Sequence, residues 1–421
     1  MQSPERENFI PFRKQDLLQM CLSDDRLSSE EQGSYRELAT LLESIFHFEF
    51  HEKLEELKDC YAPFDPDRDT RVVDSLRPQP TPELQQRLVA ALREVLEKSN
   101  YEQVSQEELD EAMNSESLFR IRLFVDFEDF EEVLFFRRGV RERNETLKTW
   151  MGLRKQKIDV SLFERVAMYV KFKPSSYFEA KGRKGLLFEP GSTILKLFRN
   201  VPKADLEMLF PNTEVRMKPM DKVVMGVPAV AGGIAVIATK LGAVFALIAS
   251  LIAFWLGFEE KEPIFDNKTL IALGVGLGTL AAYLFKQWNK YKNRKIKFMK
   301  TLTDNLYFKN LDNNAGVFHH LIDSAEEEEC KESLLAYFFL EQAEEPLSEE
   351  ELDKQIESWF REKWDTDLDF EVDDALQKLE RLGLAQSQSQ RWSALPLDAA
   401  KARLDEIWDH YFEFHQPKLT N

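Results

Sequence analysis

The stretch VVMGVPAVAGGIAVIATKLGAVFALIASLIAFWLGF, Val223–Phe258, has 36 residues and one charge, Lys240. A second apolar run, TLIALGVGLGTLAAYLF, Thr269–Phe285, has 17 residues and no charge. A helix rises about 1.5 Å per residue, and a membrane span takes roughly 17–25 apolar residues. Leu241–Phe258 and Thr269–Phe285 therefore read as the two spans of a transmembrane hairpin. As a single helix the first run would reach about 54 Å, too long for one crossing. Pro228 and Gly232-Gly233 weaken it, and Lys240 marks a natural break. Val223–Thr239 then becomes a third span, a re-entrant segment or an interfacial helix. Two spans are expected, with three as the alternative.

The flanks set the expected topology. Lys286, Lys290, Lys292, Arg294, Lys295, Lys297 and Lys300 follow the second run with no acid among them. The linker carries Glu259, Glu260, Glu262 and Asp266. Positive residues stay on the cytoplasmic side, so both soluble lobes are placed there. The seven basic residues are also candidate contacts for anionic lipid headgroups. Small residues recur every four in both runs: Gly242, Ala246 and Ser250, then Gly274, Gly278 and Ala282. Such stripes allow close helix packing within the hairpin, or homo-oligomerisation. Gly274-Val-Gly-Leu-Gly278 lacks the strand–turn–helix setting of a dinucleotide loop.

Away from these runs the chain of 421 residues is acidic, with a net charge of −19. The charge is segregated. Residues 1–119 carry −14, 120–222 carry +7, 223–285 carry −1, 286–300 carry +7 and 301–421 carry −18. These blocks are the expected domains: an acidic helical region, a basic α+β membrane-proximal domain, the spans, a basic juxtamembrane helix and an acidic winged-helix-like domain. The balance opposes nucleic acid as a partner.

Helical spacing marks Leu38, Leu41, Leu42 and Ile45, and Thr81-Pro82 opens a helix to Leu96. Alternation at Phe119, Ile121, Leu123 and Val125 predicts a strand. Val133–Phe136, Val166–Phe172, Leu186–Phe188 and Ile194–Val201 extend it to a small antiparallel sheet. In the C-terminal region Lys331–Gln342 is helical, and Ser348 to Glu351 form a capping box. Asp373–Leu382 is a helix ending at Gly383, and Leu384–Gln386 with Arg391–Leu395 make a hairpin. That order is winged-helix-like. Asp373, Asp374 and Glu380 on its recognition helix argue against DNA and for a protein partner. The fold class expected is α+β: a helical and antiparallel-sheet N-terminal region, a transmembrane hairpin and a winged-helix-like C-terminal domain.

No catalytic, cofactor or metal residues emerge. Cys21, Cys60 and Cys330 are scattered, and His47 and His51 give two ligands where a closed zinc site needs four. Asp65, Asp67 and Asp69 start like a calcium loop, but Thr70 and Leu76 stand where Gly and Glu are needed. Arg137, Arg138, Arg141 and Arg143 could bind phosphate headgroups.

Several motifs resemble a known family. They are Phe9-Ile-Pro-Phe12, Tyr61-Ala-Pro-Phe-Asp-Pro66, Asp126-Phe-Glu-Asp-Phe130 with Arg138-Gly139, and Leu195-Lys-Leu-Phe-Arg-Asn-Val-Pro202. Asp205-Leu-Glu207, Phe210-Pro211, Leu306-Tyr-Phe-Lys-Asn-Leu311, Ala336-Tyr337 and Leu379-Glu-Arg-Leu-Gly-Leu384 complete the set. Together they resemble the domain-of-unknown-function family that includes the mitochondrial transmembrane protein 143. The resemblance implies a membrane protein with paired spans and no assigned activity. Met1–Phe9 has no presequence character, which points to a bacterial plasma membrane, with the mitochondrial inner membrane as the alternative. The function expected is a membrane-anchored interaction or regulatory protein. A channel or transporter subunit, or a lipid-surface enzyme, is the alternative.

Overall fold

The computed structural model describes residues 6–67, 80–105, 107–109, 122–149, 154–183, 185–186, 188–216, 249, 252–256 and 267–412. The chain divides into two compact units. The first combines Met1–Ala112, Phe127–Lys203 and Lys309–Asn421, and the second Met113–Asp126 and Ala204–Phe308.

The first unit begins with helices α1 (Lys14–Leu22), α2 (Ser29–Tyr61) and α3 (Pro82–Lys98). Ser28 and Glu31 form a reciprocal capping box at the start of α2. Thr81 caps α3 with Pro82 at its first position. Next come β1 (Glu102–Gln103), β3 (Phe130–Thr149), β4 (Arg154–Phe172), the short α4 (Ser175–Ala180) and β5 (Thr193–Pro202). β2 (Arg122–Phe124) and β6 (Glu214–Arg216) pair with each other in the second unit, which also holds most of α5 (Asn267–Lys309). Then follow β7 (Asn310–Asn313), α6 (Ala315–Glu341), α7 (Glu349–Trp364), α8 (Val372–Leu382), the β8–β9 hairpin (Ala385–Gln388 and Arg391–Ala394) and α9 (Leu397–Asp409).

The main sheet has the order β1-β3-β4-β5-β7, with every neighbour antiparallel. Leu134 and Phe136 of β3, Ala167 and Tyr169 of β4, and Leu195 and Leu197 of β5 alternate along their strands. They place one sheet face in a continuous apolar core shared with the helices. The helix α6 lies at the centre, packed by α1, α2, α3, α7 and α8. Its run Leu334–Leu340 is buried at every position, as a helix enclosed on all sides requires. Leu186 and Phe188, expected in a strand, lie in the loop before β5. There Phe188 stacks on Phe172 with ring centroids 3.8 Å apart.

The mixed α+β class stands, but the transmembrane hairpin does not. Among the described residues no helix is long and apolar enough to cross a membrane. Thr269–Phe285 is the first part of α5, and the same helix continues through the basic residues Lys286–Lys300. Its 17 apolar residues span about 26 Å, short of a hydrocarbon core about 30 Å thick. Of Leu241–Phe258, only Ala249 and Ile252–Leu256 are described, and Val223–Thr239 lies wholly outside the described residues. The integral-membrane function, the channel alternative and the multi-pass localisation in a bacterial or mitochondrial membrane all rested on that hairpin. They are corrected with it.

Candidate functional site

The helix α6 carries Glu326-Glu-Glu-Glu329-Cys-Lys-Glu332, which as sequence looks like a solvated face. The structure buries four of those charges: Glu328, Glu329, Lys331 and Glu332. Burying a charge costs several kcal/mol unless it is paired and hydrogen-bonded. The partners are therefore the informative part.

On one side Lys331 Nζ donates to Glu328 Oε1 at 2.8 Å and to the carbonyls of Ile10 at 2.7 Å and Phe12 at 3.1 Å. The Ile10 N–H donates to Glu328 Oε2 at 3.2 Å, and Arg138 Nη1 lies 3.9 Å from Glu328 Oε1. This half of the cluster latches the extended chain before α1.

On the other side Lys378, reaching in from α8, is held by three acids. Its Nζ lies 2.5 Å from Glu332 Oε2, 2.7 Å from Asp374 Oδ2 and 3.1 Å from Glu329 Oε2. Asn100 Nδ2 donates to the remaining oxygen of Glu332 at 3.1 Å. Burial pushes the Glu332 carboxyl up to about 7, against the pull of Lys378. Burial also raises Glu329, opposed by Lys378 and Lys98. For Lys378 burial works downward, and the three acids outweigh it and raise the ammonium.

These paired groups comprise four acids, Glu328, Glu329, Glu332 and Asp374, against three bases, Lys331, Lys378 and Arg138. One oxygen of these acids is left without a donor. Glu329 Oε1 is buried and has no hydrogen-bond partner, although the side chain is only 4 % exposed. An orphaned buried carboxylate oxygen is expensive and calls for a donor.

Glu329 lines a cavity of about 440 Å³. Phe46, Glu49, Phe50 and Lys53 of α2 form one wall. Lys98 at the end of α3 and Asp374, Gln377, Lys378 and Arg381 of α8 complete it. Arg381 is tied to Glu49 by two bonds of 2.6 and 3.0 Å and lies over the Phe46 ring. The cavity thus sits where the N-terminal and C-terminal helices meet around α6.

The residues singled out from sequence are dispersed. Gly242, Ala246 and Ser250 lie outside the described residues. Gly274, Gly278 and Ala282 are exposed on α5, and a methyl added at Gly274 or Gly278 would meet nothing within 4 Å. Lys286, Lys290, Lys292, Lys297 and Lys300 are exposed along the same helix, which also contains Arg294 and Lys295. Three of the four β3 arginines are engaged by named partners, and Arg143 is exposed. Arg137 pairs with Glu102 at 2.9 Å and Arg141 with Glu164 at 2.5 Å, while Arg138 turns inward between the rings of Phe9 and Tyr101. His47 Nδ1 lies 2.9 Å from Glu326. Asp67 accepts from Asn314 at 2.6 Å. Among the described residues no group of three potential ligands is arranged to hold a metal ion. Burial pushes the Cys21 and Cys330 thiols up to about 12, which keeps them protonated and poor nucleophiles at neutral pH.

Fold and cavity together define a mixed α+β protein: an antiparallel sheet covered by helices, with a charged, open cavity between four of those helices. Residues 163–316 match the family described as a protein of unknown function, DUF3754. No solved structure matches the chain. The matched segment runs from β4 to the first turn of α6, so every residue lining the cavity lies outside it.

Proposed function

We propose that this chain is a binding module whose cavity takes a small molecule bearing an ammonium group. One observation carries the reading: Glu329, whose Oε1 is buried and unpartnered, lines a cavity of about 440 Å³. A ligand ammonium would supply the donor that this oxygen lacks. A ligand there touches α2, α3, α6 and α8 together, so occupancy would tighten the junction of the N-terminal and C-terminal segments. We also infer a kinship with the family of the mitochondrial transmembrane protein 143. Phe9-Ile-Pro-Phe12, held by Lys331, and Leu379–Leu384, at the end of α8, support it beyond the matched segment.

The test is calorimetric titration of the full chain with n-pentylammonium. Saturable binding is expected, with at least a tenfold loss of affinity in Glu329→Gln. A melting temperature for the variant near that of the parent would establish that it folds. Absence of saturable heat with the parent, or equal affinity in E329Q, would overturn the proposal.

A further inference from the structure

The cavity is polarised. Glu329, whose Oε1 is orphaned, lines it from α6. Taken as a whole, its lining holds four bases, Lys53, Lys98, Lys378 and Arg381, against three acids, Glu49, Glu329 and Asp374. A carboxylate on the same ligand would meet those bases.

Among the four bases, three are strongly engaged. Lys378 is held by three acids and Arg381 is bidentate to Glu49. Lys53 sits 2.7 Å from Glu94 and 3.2 Å from Glu56. Lys98 differs. Its side chain is 42 % exposed, and its ion pair to Glu94, one turn back on α3, is a long 3.4 Å. An exposed pair of that kind contributes little and gives way readily to a better acceptor. The Lys98 ammonium nonetheless lies near enough to Glu329 to oppose the rise in its pKa. Phe50, whose ring centroid is 5.7 Å from Lys98 Nζ, and Phe46 supply apolar wall.

We infer that the ligand is amphoteric: an ammonium carboxylate with an apolar body. Its ammonium donates to Glu329 Oε1, its carboxylate replaces Glu94 on Lys98, and its carbon chain lies against Phe46 and Phe50. This rests on the ammonium-binding reading above and adds to it the acid group and the body. The chemistry is shared by α-amino acids and ω-amino acids, which differ in the separation of the two charges.

Three probes distinguish the cases: norleucine, its isomer 6-aminohexanoate, and n-pentylammonium, which is norleucine without its carboxylate. One of the two isomers is expected to bind at least tenfold more tightly than n-pentylammonium to the full chain. In Lys98→Gln that ratio is expected to fall to near one. K98Q replaces a half-exposed side chain, and its thermal unfolding reports whether the fold is intact. If n-pentylammonium binds and neither isomer binds more tightly, or if K98Q keeps the tenfold ratio, the amphoteric assignment is overturned and the ammonium site stands. If none of the three binds, both are overturned.

Discussion

Glu332 shows how far burial changes a residue whose sequence context looks ordinary. An acid in a run of acids on a helix would stay charged in water. Enclosed between α6 and α8, with Glu328 and Glu329 on its own helix and Lys378 and Asn100 facing it, its carboxyl titrates at about 7. The folded state therefore holds this proton more tightly than the unfolded chain. The resulting stabilisation is full below about pH 4.5 and is lost as pH rises through about 7. The shift corresponds to roughly 3 kcal/mol. In Glu332→Gln the group no longer titrates. Urea unfolding between pH 5 and 8 should show wild-type stability declining relative to E332Q by up to that amount. A difference that does not vary with pH would contradict the assignment.

Little of this site was legible in the sequence. Helical spacing located α8 and only the last part of α6, from Lys331, and Lys378 was visible as one base among Asp373, Asp374 and Glu380. The pairing of Lys378 with Glu329 and Glu332 joins residues about fifty positions apart. Local periodicity has no access to such a contact. One signal was available: Leu334–Leu340 is apolar at every position, which marks a helix enclosed on all sides. Extended one turn back, that reading would have turned the acids inward.

At the scale of elements, the β3–β4 hairpin shows a glycine with a defined task. Gly139 has φ of +67°, a conformation costly for a residue with a side chain. A Cβ there would lie 3.0 Å from Glu164 Cγ on the facing strand. Glu164 is held by Arg141, so it cannot yield without loosening an ion pair. Gly139→Ala should cost about 1–3 kcal/mol, from left-handed strain together with crowding. Chemical denaturation would measure it, and a neutral result would mean the strand rearranges locally. Parts of β3, β4 and β5 could be read from their apolar runs. Their order could not, because β7, the edge strand beside β5, comes from Asn310–Asn313, more than a hundred residues further along the chain. The helix α5 teaches the opposite lesson. Hydropathy identified an apolar run of 17 residues. The basic helix expected after it is the same helix, Asn267–Lys309, and the apolar length falls at the lower edge of what spans a bilayer.

For the whole molecule, the acidic stretches 1–119 and 301–421 look separable by charge, yet residues from both share one core. Tyr35 of α2 donates to the Leu334 carbonyl of α6 at 2.8 Å. Tyr61 donates to the Thr193 carbonyl of β5 at 3.0 Å, and Trp359 of α7 donates to Asp24 at 2.9 Å. Ion pairs offset the like charge where the stretches meet, among them Arg6 with Glu357, Arg381 with Glu49 and Lys401 with Glu37. Residues 309–421 alone would expose the faces of α6 and α9 that cover α2. That fragment should lack a cooperative thermal transition. A sharp calorimetric transition in the isolated fragment would show instead that it is an autonomous domain.

The sequence by itself determined the mixed α+β class, the segregation of charge, the helices opened by Thr81-Pro82 and by Ser348, the helix ended by Gly383, and parts of the three long strands. These follow from spacing and residue type over a few turns of chain. Tertiary structure alone decided that the first and last hundred residues build one core, that a run of glutamates faces inward, and that one of their oxygens is left unpartnered beside a cavity. The reason is physical. Desolvation of a charge depends on everything that surrounds it, and here the surroundings come from four helices distant in sequence.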